Sequence, residues 1–260
     1  MTGNLVAAHL ALANQLADLS GAIIRRHFRR RLKVDEKPDR TPVTKADRAA
    51  EAAMRRLIAA RFPAHGILGE EYGGVRTDSE FVWVLDPIDG TKSFISGVPL
   101  FGTLIALVQR GRPVLGVIDQ PISRERWIGA QGRRTTLNGK PVKTRACRGL
   151  EEATLYATAP DMFGKRDAAG FARLRRRVAL VRFGADCYAY ALLASGFIDL
   201  VAEADLKPYD FCALAPVIEG AGGTITDWRG KPLDLASDGR VLATGDKRLA
   251  RRARALLARS

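Results

Sequence analysis

Apolar residues recur along this chain at two alternating spacings, one typical of helices and one typical of strands. Near the N-terminus, Leu12, Leu16, Leu19 and Ile23 follow the i, i+4, i+7, i+11 pattern of an amphipathic helix. The helices predicted in this way cover residues 4–28, 45–61, 170–177, 187–195 and 211–219, and a basic helix is predicted at the C-terminal end. The predicted strands cover residues 81–85, 103–109, 113–118, 153–158, 178–183, 198–202, 224–227 and 241–244. A polar loop is predicted over residues 34–43. This alternation favours a mixed α/β protein.

The length and composition are those of an ordinary globular protein. The 260 residues, 47% hydrophobic and 27% charged, suffice for one large domain or two closely packed parts. No apolar run reaches the roughly 18 residues needed to cross a bilayer. The first residues also lack the basic and apolar segments of a signal peptide. We therefore expect no membrane span and a cytoplasmic location.

The few cysteines and histidines are scattered. The chain has three widely spaced cysteines, Cys147, Cys187 and Cys212. Their odd number and wide spacing argue against a disulfide framework and against a zinc cage. The three histidines lack ligand spacing as well, which disfavours a histidine metal site or a Ser-His-Asp triad. Any metal chemistry must therefore use oxygen ligands, which suit a hard cation such as Mg²⁺.

The net charge is +14, from 42 Lys and Arg against 28 Asp and Glu. A charge of this size is compatible with nucleic-acid binding. The basic residues, however, form short clusters on predicted helices, without interleaved aromatic residues or a long basic tail. We interpret the net charge mainly as the result of an arginine-rich composition. The positive charge would also help to attract an anionic phosphate substrate.

The segment after the first predicted strand carries the clearest candidate chemistry. A buried strand delivers Asp86 and Asp89, three residues apart, into a turn that contains a proline. The Ile88 carbonyl can face the same point, and the N–H groups of Gly90 and Thr91 are free to hold an anion. Acidic side chains beside backbone donors suit a phosphate bridged by metal ions. The structural alternative is that Asp89 only caps the next segment.

Four further acidic residues lie in loops or at predicted helix starts. Glu70 and Glu71 follow a short apolar run, Asp47 fits the third position of a helix capped by Thr44, and Asp210 is a plausible N-cap. Taken alone, each has a structural explanation as a solvated or capping residue. Taken together, the carboxylates could converge, and their repulsion would then require cations. The residues themselves indicate a candidate hard-metal site.

These motifs resemble the inositol monophosphatase superfamily of magnesium-dependent, lithium-sensitive phosphatases. The resemblance rests on Val43-Thr44-x-x-Asp47, Gly69-Glu70-Glu71, Asp86-Pro-Ile-Asp-Gly-Thr91, Tyr209-Asp210 and Glu219-Gly-Ala-Gly-Gly223. It implies an α/β fold, the layered αβαβα sandwich of the inositol monophosphatase and sugar phosphatase type. It also implies a homodimer and two to three Mg²⁺ per active site. Residues 1–145 would form an N-terminal α+β part with most metal ligands. Residues 146–260 would form a C-terminal α/β part with the specificity residues and the last metal aspartate, and both would belong to one compact unit.

Several segments narrow the resemblance to the histidinol-phosphate phosphatase branch. They cover residues 135–139, 155–163, 182–190 and 203–211. Tyr209 stands where inositol phosphatases usually have Trp, and Asp186 stands where they usually have a small residue. Ala159 is a departure, since the branch commonly has Ser there. The resemblance implies hydrolysis of L-histidinol phosphate, a step of histidine biosynthesis.

The resemblance also implies roles for individual residues. The implied metal ligands are Glu70, Asp86, the Ile88 carbonyl, Asp89 and Asp210. Thr91, hydrogen-bonded to Asp47, would orient the attacking water and accept its proton, with Asp47 as the acid/base partner. The N–H groups of Gly90 and Thr91 would hold phosphate oxygens.

Substrate choice is expected in the second half of the chain. Glu203 stands where the superfamily binds the alcohol portion of the substrate, Asp186 adds a second carboxylate, and Gly184 is a further candidate in the same segment as Asp186. Two carboxylates would suit the ammonium and imidazole groups of histidinol phosphate. The structural alternative is that Asp186 caps the helix that follows it.

Two other functions stay open at this point. An inositol-1-monophosphatase or a broad sugar-alcohol phosphatase would use the same chemistry. A protein of another class, an RNA- or transcription-complex-associated factor, is physically possible because of the positive charge, although such a factor would not need the complete set of acidic residues.

Overall fold

The computed structural model of the protein describes residues 3–30, 34–36 and 42–258. The helices are α1 (Gly3–His27), α2 (Lys45–Arg61), α3 (Thr91–Ile95), α4 (Lys165–Arg175), α5 (Cys187–Ala194), α6 (Pro208–Phe211), α7 (Leu214–Gly220) and α8 (Lys247–Leu257). The strands are β1 (Val34–Glu36), β2 (Pro42–Thr44), β3 (Gly66–Gly69), β4 (Gly73–Val75), β5 (Phe81–Asp89), β6 (Gly102–Gln109), β7 (Arg112–Gln120), β8 (Glu125–Ala130), β9 (Thr136–Leu137), β10 (Lys140–Pro141), β11 (Thr154–Ala157), β12 (Leu180–Phe183), β13 (Leu200–Glu203), β14 (Thr224–Thr226) and β15 (Val241–Thr244).

Two large sheets organise the molecule. The first has eight strands in the order β10-β9-β8-β7-β6-β5-β3-β4, and all its neighbours are antiparallel except β3 and β5. The second has five strands in the order β12-β11-β13-β15-β14, with β11 parallel to both of its neighbours. The sheets fall on either side of the boundary proposed at residues 145 and 146.

Helices cover both faces of each sheet, and the alternation along β5 shows why. Trp83 and Leu85 face one way and pack with Leu16 of α1, while Val82 and Val84 face the other way toward α5 and α7. Successive strand residues point to opposite faces, so a strand buried on both sides is apolar throughout. The sheet thus lies between a layer of α1 and α2 and a layer of α5 and α7.

The second sheet repeats this arrangement and completes the stack. Its strands contribute Val201 to the core shared with α5 and α7, and Leu200 to a separate core beneath α4 and α8. Phe171 of α4 and Leu249 of α8 are buried in that outer core. The layers therefore follow the order α, β, α, β, α, which confirms the fold predicted from the motifs. Across the described residues, no helix is long and apolar enough to span a membrane.

Two glycines let α7 lie directly on the first sheet. A Cβ on Gly116 would meet the carbonyl oxygen of Ala213 at 1.9 Å, and one on Gly129 would meet that of Pro216 at 2.2 Å. Any larger residue would push the helix away from β7 and β8. This close approach fixes the position of α7 and of the short helix α6 that precedes it.

The elements differ from the predictions at several places. The helix predicted over 211–219 is two helices, α6 and α7, and the helix predicted over 170–177 begins earlier, at Lys165. The strands β3, β4, β8, β9 and β10 were not predicted, because they are short, glycine-containing or polar. The predicted loop at 34–43 contains the paired strands β1 and β2. Residues 37–41 of that loop lie outside the described residues.

Candidate active site

The end of β5 brings two carboxylates to one place. The pairing of β5 with β6 shifts register between Asp86 and Asp89. The Pro87 carbonyl accepts a hydrogen bond from the Thr103 hydroxyl at 2.8 Å. Asp86 is buried, and its Oδ1 accepts a hydrogen bond from the Ile88 N–H at 2.9 Å. Because the strand is irregular here, two acids three residues apart can serve the same site.

Asp210 reaches this site from the C-terminal half of the chain. It lies on α6, where its Oδ2 accepts a hydrogen bond from the Lys207 N–H at 2.7 Å. Asp86, Asp89 and Asp210 each offer one carboxylate oxygen, and these three oxygens all lie within 4.8 Å of one another. The convergence that the sequence suggested is therefore present for these three acids.

Glu70 belongs to the same cluster. Its N–H donates to the Leu85 carbonyl at 3.1 Å, which places it beside the end of β5. Burial raises the pKa of Asp86 well above its ordinary value, and the neighbouring charges of Glu70, Asp89 and Asp210 raise it further. All four acidic positions predicted to hold metal ions through their side chains thus lie close together.

The electrostatics of the cluster call for a cation. Burial, with Asp186 and Asp210 nearby, raises the pKa of Asp89, and burial raises the pKa of Asp210 to about 7. Within the described residues, no lysine or arginine forms an ion pair with Asp86, Asp89 or Asp210, and the Lys207 ammonium pairs with Asp205 instead. Buried carboxylates without a counter-charge are strongly unfavourable when ionised. Three oxygen donors at this spacing fit a hard divalent cation.

Asp47 takes part in the capping box of α2, which was the structural explanation given for this residue from the sequence. Its Oδ2 accepts hydrogen bonds from the Thr44 N–H at 2.8 Å and from the Thr44 hydroxyl at 2.6 Å. Its Oδ1 is buried and has no hydrogen-bond partner among the described residues. Burial raises the pKa of Asp47, and the nearby charge of Glu70 adds to this effect. One carboxylate oxygen therefore remains available for chemistry.

The structure corrects the predicted contact of Thr91. The Thr91 hydroxyl donates to the Ile88 carbonyl at 3.1 Å and makes no hydrogen bond to Asp47 among the described residues. Ile88 stands three residues before Thr91, so its carbonyl lies next to the start of α3. The Oδ2 atom of Asp47 already accepts hydrogen bonds from Thr44. The Ile88 carbonyl, predicted to bind metal, is thus also an acceptor for Thr91.

Gly90 allows the turn between β5 and α3. Its φ of 90° is in the left-handed region that favours glycine, and it occupies the N-cap position of α3. A Cβ on Gly90 would lie 2.9 Å from Oδ2 of Asp186 and 3.1 Å from the Cβ of Phe101. The backbone of the β5–α3 turn is therefore in close contact with Asp186, from the other half of the chain.

A cavity of about 110 Å³ adjoins the acidic cluster. It is lined by Asp89, Thr158, Met162, Asp186, Cys187, Tyr190, Glu203, Leu206, Asp210 and Leu214. It therefore brings together Asp186 and Glu203, the two carboxylates predicted to bind substrate, and places them beside Asp89 and Asp210. Gly184 is not among the lining residues, but its N–H donates to the Thr158 carbonyl at 2.9 Å and anchors the turn that carries Asp186.

Glu203 is buried and held on both carboxylate oxygens. The Thr158 N–H donates to Oε1 at 2.7 Å, and the Tyr190 hydroxyl donates to Oε2 at 2.8 Å. Burial raises the pKa of Glu203, while these two hydrogen bonds lower it. Sequence reasoning missed Tyr190 and Thr158, although both lie in segments that carry the resemblance.

Asp186 does not cap α5 with its side chain. It occupies the N-cap position with φ 45°, but its carboxylate makes no capping hydrogen bond. The Ser93 hydroxyl donates to its Oδ2 at 3.3 Å. Burial raises the pKa of Asp186 to about 6. The Cys187 N–H, at the start of α5, donates instead to Asp89. The capping alternative for Asp186 is therefore wrong, and its carboxylate faces the cavity.

The layered fold and its clustered carboxylates are those of a phosphatase. The chain belongs to the inositol monophosphatase family, whose model matches residues 7–260. It is 54% identical to the bifunctional phosphatase IMPL2 of Arabidopsis thaliana over 245 residues, which are 91% of this chain and 71% of the relative. It is 38% identical to the histidinol-phosphatase of Chlorobaculum parvum over 236 residues, 90% and 91% of the two chains. A solved inositol monophosphatase from Zymomonas mobilis has a TM-score of 0.90 and 46% identity, over 99% of both chains.

Proposed function

We propose that this phosphatase hydrolyses small phosphate monoesters with Mg²⁺, and that L-histidinol phosphate is its substrate. The observation that carries the proposal is the approach of three carboxylate oxygens, from Asp86, Asp89 and Asp210, to within 4.8 Å of one another. The oxygens have no cationic side chain as an ion-pair partner among the described residues. A divalent cation would supply the missing charge and would also bind the phosphate group.

Different residues of the site would bind the metal ions and the phosphate group. The side chains of Glu70, Asp86, Asp89 and Asp210, with the Ile88 carbonyl, would hold two to three Mg²⁺. When bound, these ions activate water and stabilise the leaving oxygen. Gly90 and Thr91 would direct backbone N–H groups at the phosphate oxygens.

The proton of the attacking water needs an acceptor, and the environment of Asp47 suits it to accept that proton. Its Oδ1 is buried without a hydrogen-bond partner in the part of the chain that the structure describes, and its pKa is raised by burial. A carboxyl group whose pKa lies closer to neutrality takes up and releases protons more readily at physiological pH.

The residues that line the cavity beside the cluster favour a substrate whose alcohol portion is positively charged. Asp186 and Glu203 both line it, and no lysine or arginine does. L-Histidinol phosphate carries an ammonium and an imidazole group, which would form charge-assisted hydrogen bonds with these carboxylates. Inositol carries only hydroxyl groups and would gain less from them. The name of the Chlorobaculum parvum relative, histidinol-phosphatase, agrees with this choice.

The assembly and the lithium sensitivity are proposed from the family resemblance, and the cytoplasmic location is an expectation from the sequence. We infer a homodimer in the cytoplasm, with lithium-sensitive activity. Sedimentation velocity would test the dimer, and a species with the mass of a single 28.3 kDa chain at micromolar concentration would contradict it.

A parallel substrate assay tests the proposed function. Phosphate release from L-histidinol phosphate and from inositol 1-phosphate would be measured with Mg²⁺ and again with EDTA. We expect activity only with Mg²⁺ and a higher kcat/KM for histidinol phosphate. Equal activity in EDTA would contradict the metal proposal, and a higher kcat/KM for inositol 1-phosphate would contradict the substrate proposal.

A further inference from the structure

Most of the net positive charge of the chain comes from its outermost helical layer, which is nearly free of acidic residues. Residues 165–177 and 247–257, which form α4, its C-terminal extension and α8, contain eleven Lys and Arg against one Asp. Their net charge is therefore +10, whereas the whole chain carries +14. We call these eleven cationic residues the outer basic layer. They are Lys165, Arg166, Arg173, Arg175, Arg176, Arg177, Lys247, Arg248, Arg251, Arg252 and Arg254.

The two helices form one continuous surface. The Arg173 guanidinium donates from Nε to the Leu256 carbonyl at 2.9 Å, and a Cβ on Gly170 would lie 2.5 Å from the Leu257 carbonyl oxygen. The apolar sides of both helices are buried in the outer core. Nine of the eleven cations are exposed, all except Arg173 and Arg254, which are half-buried. The charges of α4 and α8 thus combine on a single solvent-facing layer.

Little of this charge is neutralised within the protein. Arg248 pairs with Asp246 at 2.7 Å, and Arg252 approaches Glu151 at 3.5 Å. The other seven exposed cations have no carboxylate partner among the described residues. They are Lys165, Arg166, Arg175, Arg176, Arg177, Lys247 and Arg251. A surface helix ordinarily mixes acidic and basic residues, so this depletion of acids is unusual.

The arrangement is unfavourable for the helices themselves. Lys247 and Arg251, and likewise Arg248 and Arg252, are like-charge pairs four residues apart on α8, and such pairs destabilise a helix. Lys247 and Arg248 also lie in the first turn of α8, where the helix dipole disfavours positive charge. Arg248 is the exception with a local role, since its guanidinium donates to Asp246, the N-cap of α8. The charge is better explained by an external polyanion than by the stability of the fold.

We propose that the outer basic layer binds the phosphate backbone of nucleic acids without sequence preference. An array of unpaired cations along two adjacent helices matches the regular charge of a nucleic-acid strand. None of the large, exposed apolar residues found among the described positions lies within 165–177 or 247–257. The layer therefore lacks both the aromatic platforms that stack on bases and the apolar residues that insert into a lipid surface. Phosphate contacts alone would position the nucleic acid.

This surface is separate from the acidic cluster. The cluster lies at the end of β5 and on α6, whereas α4 and α8 cover the opposite face of the second sheet. Binding at the outer basic layer would therefore need no metal, and it is independent of the phosphatase proposal.

Fluorescence anisotropy with labelled nucleic acids tests the proposal. The probes are a single-stranded RNA and a duplex DNA of random sequence, each about 30 residues long, titrated in EDTA so that metal ions cannot bridge phosphate to the acidic cluster. The test variant is Arg176→Gln, Arg177→Gln, Lys247→Gln and Arg251→Gln combined. The control variant, Arg26→Gln, Arg56→Gln, Arg61→Gln and Arg134→Gln combined, removes the same charge from exposed arginines elsewhere.

We expect the wild-type protein to bind, with log K falling linearly against log salt from about 50 to about 200 mM. The test variant should bind at least about tenfold more weakly and lower that slope by about two or more, while the control stays within about threefold of wild type. The relative affinity for RNA and for DNA identifies the preferred form.

Three results would overturn the proposal. One is the absence of wild-type binding at about 50 mM salt, and another is an equal loss in both variants, which would reflect total charge only. The third is binding to vesicles of phosphatidylserine and phosphatidylcholine without binding to either nucleic acid, which would assign the layer to membranes. Circular dichroism and phosphatase activity of the variants establish that they are folded.

Discussion

The Asp89 carboxylate accepts a 2.5 Å hydrogen bond from the Cys187 N–H, 98 residues further along the chain. Cys187 is the first residue of α5, so Asp89 supplies the cap that Asp186, at the N-cap position, does not. The same carboxylate lies within 4.8 Å of Asp86 and Asp210 through one of its oxygens. One residue therefore ties the acidic cluster of the first sheet to the helix that borders the substrate cavity.

Removing the charge of Asp89 should abolish turnover while the fold remains intact. In Asp89→Asn, the amide oxygen can still accept the Cys187 N–H, but the cluster loses a metal ligand with its charge. We expect kcat/KM to fall by at least about 100-fold. The matched control is Asp78→Asn, an exposed acid that precedes the start of β5, whereas the cluster lies at the end of that strand, and it should keep full activity. Wild-type turnover in Asp89→Asn, at any Mg²⁺ concentration, would refute the metal assignment.

Asp186 should determine the preference for a cationic substrate. Asn has nearly the same shape as Asp, so Asp186→Asn removes the charge while a side chain of the same size stays at this position of positive φ. We expect KM for L-histidinol phosphate to rise by about tenfold or more, since a charge-assisted hydrogen bond is lost, and KM for inositol 1-phosphate to change little. Steady-state kinetics on both substrates measures the difference. An equal rise for both substrates would remove Asp186 from the explanation of specificity.

Tyr190 should stabilise the protein through Glu203. Tyr190→Phe leaves Oε2 of a buried carboxylate without its donor, and we expect a loss of about 1–3 kcal/mol in the free energy of unfolding. KM for histidinol phosphate should also rise, because Glu203 is then held through only one oxygen, by the Thr158 N–H. Urea denaturation gives the stability, and Tyr156→Phe is the control, since the Tyr156 hydroxyl has no hydrogen bond to a described residue. Equal stability of the two variants would argue against the contact.

The helical periodicities and the apolar runs were sufficient to predict most of the fold. The helices at residues 4–28, 45–61 and 187–195 were predicted within a few residues, because their buried faces repeat along the sequence. The break between α6 and α7 was missed, since residues 211–219 are apolar on every side and give no boundary signal. The short strands β9 and β10 have only two residues each, too few for any period to appear.

Convergence of the acidic residues could be proposed from motifs, but their partners could not. Asp86, Asp89 and Asp210 were singled out by their position after a strand or before a helix, and the structure brings them together. The bonds from Cys187 to Asp89 and from Tyr190 to Glu203 depend on how α5 packs between the sheets. The hydrogen bond from the Thr91 hydroxyl to Asp47 was expected from the family resemblance, whereas the structure gives that hydroxyl a local acceptor, the Ile88 carbonyl.

Removal of metal should make stability depend on pH with a definite sign. The pKa of Asp210 is raised by burial to about 7, above its ordinary value of 3.8. Between these values the folded protein binds more protons than the unfolded chain, so stability is lost as the pH rises. In EDTA, we expect Tm to fall from pH 6 to pH 8. Asp210→Asn should reduce this fall in EDTA, and millimolar Mg²⁺ should abolish it in the wild-type protein. A wild-type slope unchanged by Mg²⁺ would contradict the cluster as the cation site.

His9 should cause the opposite dependence at lower pH. Its side chain is buried against Phe62 and Phe81, and neither ring nitrogen has a hydrogen-bond partner within the described ranges. Burial, with a smaller effect from His65, lowers the pKa of His9 from 6.5 to about 4. Between those values the unfolded chain binds more protons, so stability is lost as the pH falls.

His9→Phe keeps an aromatic ring but cannot be protonated. This variant should reduce the loss in the free energy of unfolding between pH 7 and pH 5 by an amount on the order of 1 kcal/mol. Urea denaturation at both pH values measures the difference, and the comparison at pH 7 isolates any change in packing. Identical losses in the two proteins would mean that His9 is protonated as readily when folded as when unfolded, which its burial among aromatic rings argues against.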